Sequence, residues 1–338
     1  MKAYSQAKQI AEIIGEAKHI ALVQADNPDI DSLSSSLALE SILTALGKEV
    51  SMYCGVDLPS YMRYVPGWDR VSDQLPRQFD VSIIIDTSSD GLLSQLDRSG
   101  EKAWLKAKPC IVIDHHDTEP TIGFAKVILA PKAVATGEVI YELAKQLDWP
   151  LDDVARDMIT IGILSDSLGL MSGGVTARTI HIIAELVDAG VDLAQLDSAR
   201  RETMRREPEL IHYKGELLQR VEFHDNNRIA IVTIPWAEIE KYSPLYNPPM
   251  LVLDDMRLSK ETDLAIAFKL YTDGKITAKL RANYGHPIAG ELAEHFGGGG
   301  HPYAAGFKIE SGKDIETLKN EVVEEARRLL DEEAKSSK

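Results

Sequence analysis

Cysteine, positive charge and long apolar runs are all scarce in this sequence. Its two cysteines, Cys54 and Cys110, sit at the ends of apolar segments. With no CxxC and no third partner they read as reduced core thiols, which argues against a disulfide scaffold and a redox pair. Lys and Arg number 37 against 53 Asp and Glu, for a net charge of -16 and a pI near 5.0. That argues against a protein that coats DNA by bulk electrostatics, though not against an enzyme that gathers phosphates through local cations or metal ions. No apolar stretch reaches about 18 residues, so no membrane span is expected. Residues 1–20 read as an amphipathic helix rather than a signal peptide, and the expected location is cytoplasmic. The GxxxxGK[ST] spacing of a nucleotide P-loop is missing, so ATP use is not suggested. Neither repeats nor low-complexity segments occur.

The 338 residues present suffice for two domains with real cores. In the first half, strand-like and helix-like segments alternate. Helices are expected over 4–18, 32–47, 136–147, 151–167 and 176–190, with strands over 19–25, 49–54, 79–86 and 109–116. This rhythm predicts an α/β fold, a mostly parallel sheet flanked by helices. Residues 191–220 read as long, polar and mostly helical. After them come shorter alternating strands at 228–235, 264–271 and 275–282, the last two joined by the turn Thr272-Asp273-Gly274. A helix over 287–296, a strand near 304–310 and a charged amphipathic helix over 314–335 complete a smaller α+β, mixed-sheet domain. The expected division is a catalytic domain over 1–190, a helical linker over 191–215 and a substrate-binding domain over 216–338. The last helix reads as packed on the second domain, with a partner-binding tail as the alternative.

Acids and imidazoles fall at strand ends. Asp29 and Asp31 follow the first strand, Asp86 ends the third, and Asp114, His115 and His116 end the fourth. Open parallel sheets bind ligands beyond the C-terminal ends of their strands, so these groups should meet on one rim. Taken alone, Asn27-Pro28-Asp29-Ile30-Asp31 also reads as a turn and helix cap. Asp86 has the alternative of capping the following helix, but a carboxylate after a buried run also suits a bridge between metal ions. Side chains alternate in an extended segment, so His115 and His116 should point differently: one can hold metal while the other faces substrate. An adjacent Asp can orient a ring. Asp166, in a run of small residues, is a further ligand candidate. Asp31, Asp86, His115 and Asp166 make a mixed nitrogen and oxygen set that suits Mn²⁺, Zn²⁺ or Fe²⁺ and leans toward Mn²⁺. Two ions about 3.5–4 Å apart sharing Asp86 would activate a water and clamp a phosphoryl group.

In the second half, Gly297-Gly298-Gly299-Gly300-His301 follows a helical segment. Four consecutive glycines sacrifice much backbone entropy, which points to close approach of backbone to a ligand, with N–H groups forming an anion nest. A flexible linker is the alternative. His301 is placed to contact a phosphate oxygen. Lys279 and Arg281 share one strand face, and Arg281, with its planar fork, is the preferred phosphate anchor.

Six segments in order, NPDIDSLSSSLAL (27–39), IIIDTSS (83–89), IDHHDTEP (113–120), ATGEVIYEL (135–143), GILSDS (162–167) and GGGGHPYAAGF (297–307), make the chain resemble the DHH phosphoesterases with a DHHA1-type C-terminal domain. The resemblance is nearest the branch that degrades short oligoribonucleotides and removes the 3′-phosphate of adenosine 3′,5′-bisphosphate. It implies Mn²⁺-dependent hydrolysis in which Asp29 holds the first ion, Asp31 the second, and Asp86 bridges them. His115 and Asp166 would complete the second site, and His116 would face the scissile phosphate. Arg281 and Gly297 to His301 would bind the far end of a short strand lying between the domains. A homodimer is compatible with it. The pattern departs at Ala25, where the family places a histidine that binds the first ion, so that site is expected to be weakened, rebuilt with Asp26 (although alternation turns that side chain the other way if the strand continues), or empty until substrate binds. A second departure is Ser167-Leu168-Gly169-Leu170 after Asp166. Other DHH-type substrates, a cyclic dinucleotide or single-stranded DNA, and a nucleotide-binding module with an impaired metal site, are the alternatives.

Overall fold

The computed structural model describes residues 3–310 and 312–336, which divide into two compact units, Met1–Arg205 and Arg206–Lys338.

The first unit runs α1 (Ala7–Glu16), β1 (His19–Gln24), α2 (Ile30–Ala45), β2 (Glu49–Tyr53), β3 (Val71–Ser72), β4 (Val81–Ile85), α3 (Ser94–Ser99), α4 (Lys102–Lys106), β5 (Cys110–Ile113), β6 (Val127–Leu129), α5 (Thr136–Leu147), α6 (Asp153–Asp166), α7 (Ala177–Asp188) and α8 (Leu193–Met204). All six strands are parallel in the order β3-β2-β1-β4-β5-β6. The central strands are buried on both faces, which is why they read as unbroken apolar runs. Leu22, Ile83, Ile85, Ile111 and Ile113 pack in the core that holds α2, α5 and α6, while Val23, Ile84 and Val112 pack with Leu96 of α3 and Leu105 of α4. Strand order reverses between β1 and β4. In sheets of this type that reversal opens a crevice at the C-terminal strand ends, and the acids and imidazoles of the sequence stand there.

The second unit contains α9 (Pro208–Gln219), β7 (Glu222–His224), β8 (Ile229–Ile234), α10 (Trp236–Tyr242), α11 (Leu253–Arg257), β9 (Leu264–Leu270), β10 (Ile276–Ala282), α12 (Ala289–His295), β11 (Gly299–His301), β12 (Ala304–Ile309) and α13 (Ile315–Ser336). Its mixed sheet has the order β11-β12-β10-β9-β8-β7, with only β8 and β9 parallel. One face packs on α12 and α13, the other on α9, α10 and α11. Leu318, Val322, Ala326, Leu329 and Leu330 of α13 are buried in that core, so this helix belongs to the unit.

The polar stretch 191–220 is two helices rather than one, interrupted at 205–207. Pro208 at the first helical position of α9 explains the break, since it lacks an N–H and biases its predecessor away from helical angles. No helix among the described residues is long and apolar enough to cross a membrane.

Candidate metal centre

Asp31 lies in the first turn of α2 and is wholly buried. Its carboxylate accepts the backbone N–H groups of Thr136 at 2.6 Å and Gly137 at 3.2 Å, and the Ser35 hydroxyl at 3.2 Å. Ala135, which precedes α5, offers no side-chain cap, so Asp31 caps that helix from another element. These donors hold its pKa down, but burial, and then the charge of Asp29, prevail and push it up to about 6. The approach of α2 to α6 depends on Gly162. A Cβ there would stand 2.4 Å from Asp31 Oδ1 and 2.8 Å from Ser34 Oγ. Glycine to alanine inside a helix ordinarily stabilises by about 1 kcal/mol. Here Gly162→Ala is expected to do the reverse, costing about 1–3 kcal/mol by overpacking. Thermal melts and a Mn²⁺ titration check this, with metal affinity expected to fall about 10–100-fold as Asp31 is displaced.

Asp86 follows β4 with φ of 62°, a left-handed conformation that an aspartate adopts at a cost of about 1 kcal/mol or more. It accepts the Thr136 hydroxyl at 2.8 Å. Burial, then the charges of Asp31 and Asp29, raise its pKa well above the ordinary carboxylate range. Thr136 thus serves two acids, one through its backbone and one through its side chain. Asp166 is the last residue of α6, and burial with the charges of Asp31 and Asp29 raises it to about 7.

His115 faces all three. Its Nδ1 lies 3.2 Å from the Ala133 carbonyl, which can only accept, so that nitrogen carries the proton. Nε2 is then a bare lone pair, buried and without a hydrogen-bond partner, 3.4 Å from Asp166 Oδ2, 3.5 Å from Asp86 Oδ1 and 4.0 Å from Asp31 Oδ2. A lone pair aimed at three carboxylate oxygens is repulsive unless a proton or a metal cation lies among them. The donor set therefore fits a divalent ion. Among the described residues, two groups of donors have their ligand atoms within 4.8 Å of one another, Asp31/His115/Asp166 and Asp86/His115/His116, and both contain His115.

His116 points differently. Its Nδ1 donates to Asp114 Oδ1 at 2.7 Å, and the same oxygen accepts the backbone N–H groups of His115 and His116. The hydrogen bond to Asp114 raises the pKa of His116 above its usual range. With Nδ1 engaged, Nε2 of this half-exposed ring is left for a ligand.

Asp29 falls in neither donor group. It is the N-cap of α2, accepting from the Ser32 backbone at 2.9 Å in a reciprocal capping box. Its charge still raises Asp31, Asp86 and Asp166. Ala25 is buried and carries no donor, and Asp26 does not replace one: its Oδ2 accepts Ser94 Oγ at 2.8 Å and Gln95 N–H at 2.9 Å, at the start of α3.

In the second unit the glycine tract differs from the expected loop. Gly299 to His301 form β11, paired antiparallel with β12. A Cβ on Gly298 would lie 2.2 Å from the Gly306 carbonyl oxygen, and one on Gly300 2.6 Å from Ala305 Cα. These two glycines are therefore required by the chain's own close approach. Gly297 has φ of 77°, and a Cβ on Gly297 or Gly299 would meet nothing. Arg281 Nη1 donates to the Leu280 carbonyl at 2.9 Å and Nη2 lies 4.0 Å from Met250 Sδ, and among the described residues no carboxylate pairs with the guanidinium. Thr136, Gly137, Gly162 and Ser35 were not singled out from the sequence. The Thr-Gly pair opening α5 was the available signal for the first two, while the role of Gly162 exists only once two helices are packed.

Residues 19–163 match the DHH family, N-terminal domain, and residues 252–335 match the DHHA1 domain. The chain is 27% identical over 322 residues to a bifunctional oligoribonuclease and PAP phosphatase, NrnA, of Thermus thermophilus, covering 90% of this chain and 88% of that one. It is 25% identical over 295 residues to the NrnA of Bacillus subtilis, covering 86% and 89%. The fold is similar to that of an exopolyphosphatase-related protein from Bacteroides fragilis, with a TM-score of 0.78, 20% identity and coverage of 97% of this chain and 98% of that one.

Proposed function

We infer that this chain, which belongs to the DHH family of phosphoesterases and carries a DHHA1 domain behind it, hydrolyses short oligoribonucleotides and the 3′-phosphate of adenosine 3′,5′-bisphosphate with the help of Mn²⁺. The observation that carries this reading is the buried, unpartnered Nε2 of His115 facing Asp31, Asp86 and Asp166. The names of the relatives from Thermus thermophilus and Bacillus subtilis support the substrates. The net charge of -16 favours short ones, because a long strand needs an extended basic track.

Asp31, Asp86, His115 and Asp166 would hold one ion, and Asp29 with Asp86 a second. Bound there, divalent ions supply Lewis-acid charge to a phosphoryl oxygen and lower the pKa of a water. The protein's own groups do the rest. Thr136 and the first turn of α5 fix two of the carboxylates. Asp114 fixes the His116 ring and keeps it protonated to higher pH, so Nε2 can donate to the leaving oxygen or stabilise charge on the phosphate. Arg281 and the backbone around Gly297 to His301 would take a further phosphate.

The two ion sites are unequal. Asp29 shares its carboxylate with a helix cap, Ala25 offers nothing, and Asp26 is engaged elsewhere. Mn²⁺ titration followed by calorimetry or spin resonance is expected to give one tight ion and one at least about 10-fold weaker. Ala25→His should tighten only the weaker. Two equal sites in the wild type would contradict this ranking.

The functional reading is tested by comparing a dinucleotide, a longer oligoribonucleotide and adenosine 3′,5′-bisphosphate with added Mn²⁺. Turnover of the dinucleotide and the bisphosphate, faster than of the longer strand, is expected. No turnover above an Asp86→Asn control, with tight nucleotide binding retained, would defeat it and leave a nucleotide-binding module.

A further inference from the structure

We propose that a cavity at the opposite end of the parallel sheet from the metal centre is a second nucleotide site, which binds a nucleoside monophosphate without hydrolysing it. The choice of a nucleotide over other aromatic phosphates rests on the phosphoesterase reading, whereas the cavity and its charges stand apart from that reading.

The cavity has a volume of about 590 Å³, within the usual range for small-molecule sites. Four of its lining residues mark where the strands begin. His19 and Glu49 open β1 and β2, Asp80 immediately precedes β4, and Lys108 stands two residues before β5. Asp31, Asp86 and His115, in contrast, follow the C-terminal ends of β1, β4 and β5. The six residues of β1 separate the two ends by about 17 Å. A ligand in the cavity is therefore out of reach of the metal centre, so it is held and not consumed. The strand order β2-β1-β4-β5 sets Glu49, His19, Asp80 and Lys108 side by side at about 4.8 Å per strand. Glu49 and Lys108 thus lie at opposite ends of the row, about 14 Å apart along the sheet edge, too far to pair.

The lining carries partners for a phosphate and for a base. Arg77 and Lys108 both face the cavity, and among the described residues neither makes an ion pair with a carboxylate. In a chain with 53 acids against 37 cations, two cations on one cavity without a paired acid are available to an anion. The Arg77 fork matches phosphate oxygens, and Lys108 adds a point charge. Asp80 is already engaged: its Oδ2 accepts the backbone N–H groups of His19 at 3.0 Å and Lys18 at 2.8 Å. Those two bonds, with a smaller contribution from Lys108, hold its pKa below the ordinary carboxylate range. Trp104 of α4 lines the cavity and keeps 39% of its surface open, while Phe79 lines it from the core. An indole left partly open beside two cations suits a base whose phosphate those cations hold. Gln78 brings a side-chain amide that both donates and accepts, as the edge of a base requires. Glu49, exposed at the far end, is an acceptor for sugar hydroxyls.

The test is calorimetric titration of the full chain with adenosine 5′-monophosphate in EDTA, where no turnover occurs, so the outcome does not depend on whether the chain is a hydrolase. Trp104→Ala is expected to weaken binding about 10-fold, the loss typical of one base stack, and Trp104→Phe should recover most of it. Arg77→Ala should weaken it about 10-fold as well, the loss expected for a hydrogen bond to a charged group. Adenosine should show the Trp104 effect alone, and inorganic phosphate the Arg77 effect alone. Asp86→Asn should retain the binding, and neither Trp104→Ala nor Arg77→Ala should change dinucleotide hydrolysis with Mn²⁺. Circular dichroism confirms that each variant is folded. Absence of binding, or unchanged affinity in Trp104→Ala, would overturn the proposal. So would equal affinity for inorganic phosphate and the monophosphate, which would make the cavity an anion site without a place for the base. Absence of hydrolysis with Mn²⁺ in a chain that still shows the Trp104 effect would defeat the catalytic reading alone.

Discussion

Replacing Asp86 by asparagine is expected to lower hydrolysis at least about 100-fold, the upper range for a partner of a metal ligand, and to raise the melting temperature of the metal-free chain. Asparagine is the informative choice because, like aspartate, it tolerates the left-handed backbone at this position, φ 62°, whereas alanine would add strain. It also keeps an oxygen for the Thr136 hydroxyl. What it removes is a charge held against Asp31, Asp29 and Asp166 in a buried site. Loss of function with gain of apo stability distinguishes a metal-ligating carboxylate from a structural one, since removing a structural carboxylate lowers both.

The same crowding sets the pH dependence of stability. Asp31 moves from 3.8 to about 6, and Asp166 from 3.8 to about 7. The folded chain therefore holds protons that the unfolded chain has released. The stability these groups contribute is complete below about pH 4 and is lost as pH rises through 6 and then 7. For the fully buried Asp31, a shift of this size is on the order of 3 kcal/mol. Thermal melts of the metal-free chain should therefore fall by several degrees between pH 5 and pH 8. Saturating Mn²⁺ should flatten the slope, and Asp86→Asn should make it shallower without metal. A melting temperature that rises over this range in EDTA would contradict the assignment of an uncompensated acidic centre.

His116→Ala is expected to lower kcat by about 10²–10⁴, the range for loss of a positioned acid or base, while leaving the affinity for Mn²⁺ within about twofold. The split follows from geometry. His115 presents its bare nitrogen to the carboxylates, whereas His116 has turned its Nδ1 to Asp114 and leaves Nε2 for a substrate. Asp114→Asn provides the complementary readout. The hydrogen bond to Asp114 raises the His116 pKa, so the alkaline limb of the rate profile should move to lower pH in that variant. Equal loss of Mn²⁺ binding in His115→Ala and His116→Ala would show that the two rings share one role.

The rim was legible because its residues are punctuated by strand ends. Asp86 and Asp114 terminate apolar runs in β4 and β5, and a parallel sheet makes those ends converge. The helix at Thr136–Leu147 was readable from its apolar periodicity over three turns. Short elements were not. β3 has two residues and β6 three, too few for any period to emerge. That part of the glycine tract is a strand was not legible, because Gly298 and Gly300 answer to Gly306 and Ala305, residues on a partner strand whose register no local pattern reveals. Asp29 carries two readings at once, cap and charge near the centre, and sequence offers no way to weigh them. Asp26 was different: its direction away from the rim follows from its place beside Ala25, and the hydrogen bonds from Ser94 and Gln95 give it another occupation.

Anomalous diffraction from crystals grown with Mn²⁺ tests the account most directly. A peak about 2.0–2.3 Å from His115 Nε2 and from oxygens of Asp31, Asp86 and Asp166 is the predicted result. Full Mn²⁺ saturation in solution with no peak among these four side chains, or a peak bound only by surface carboxylates, would contradict it.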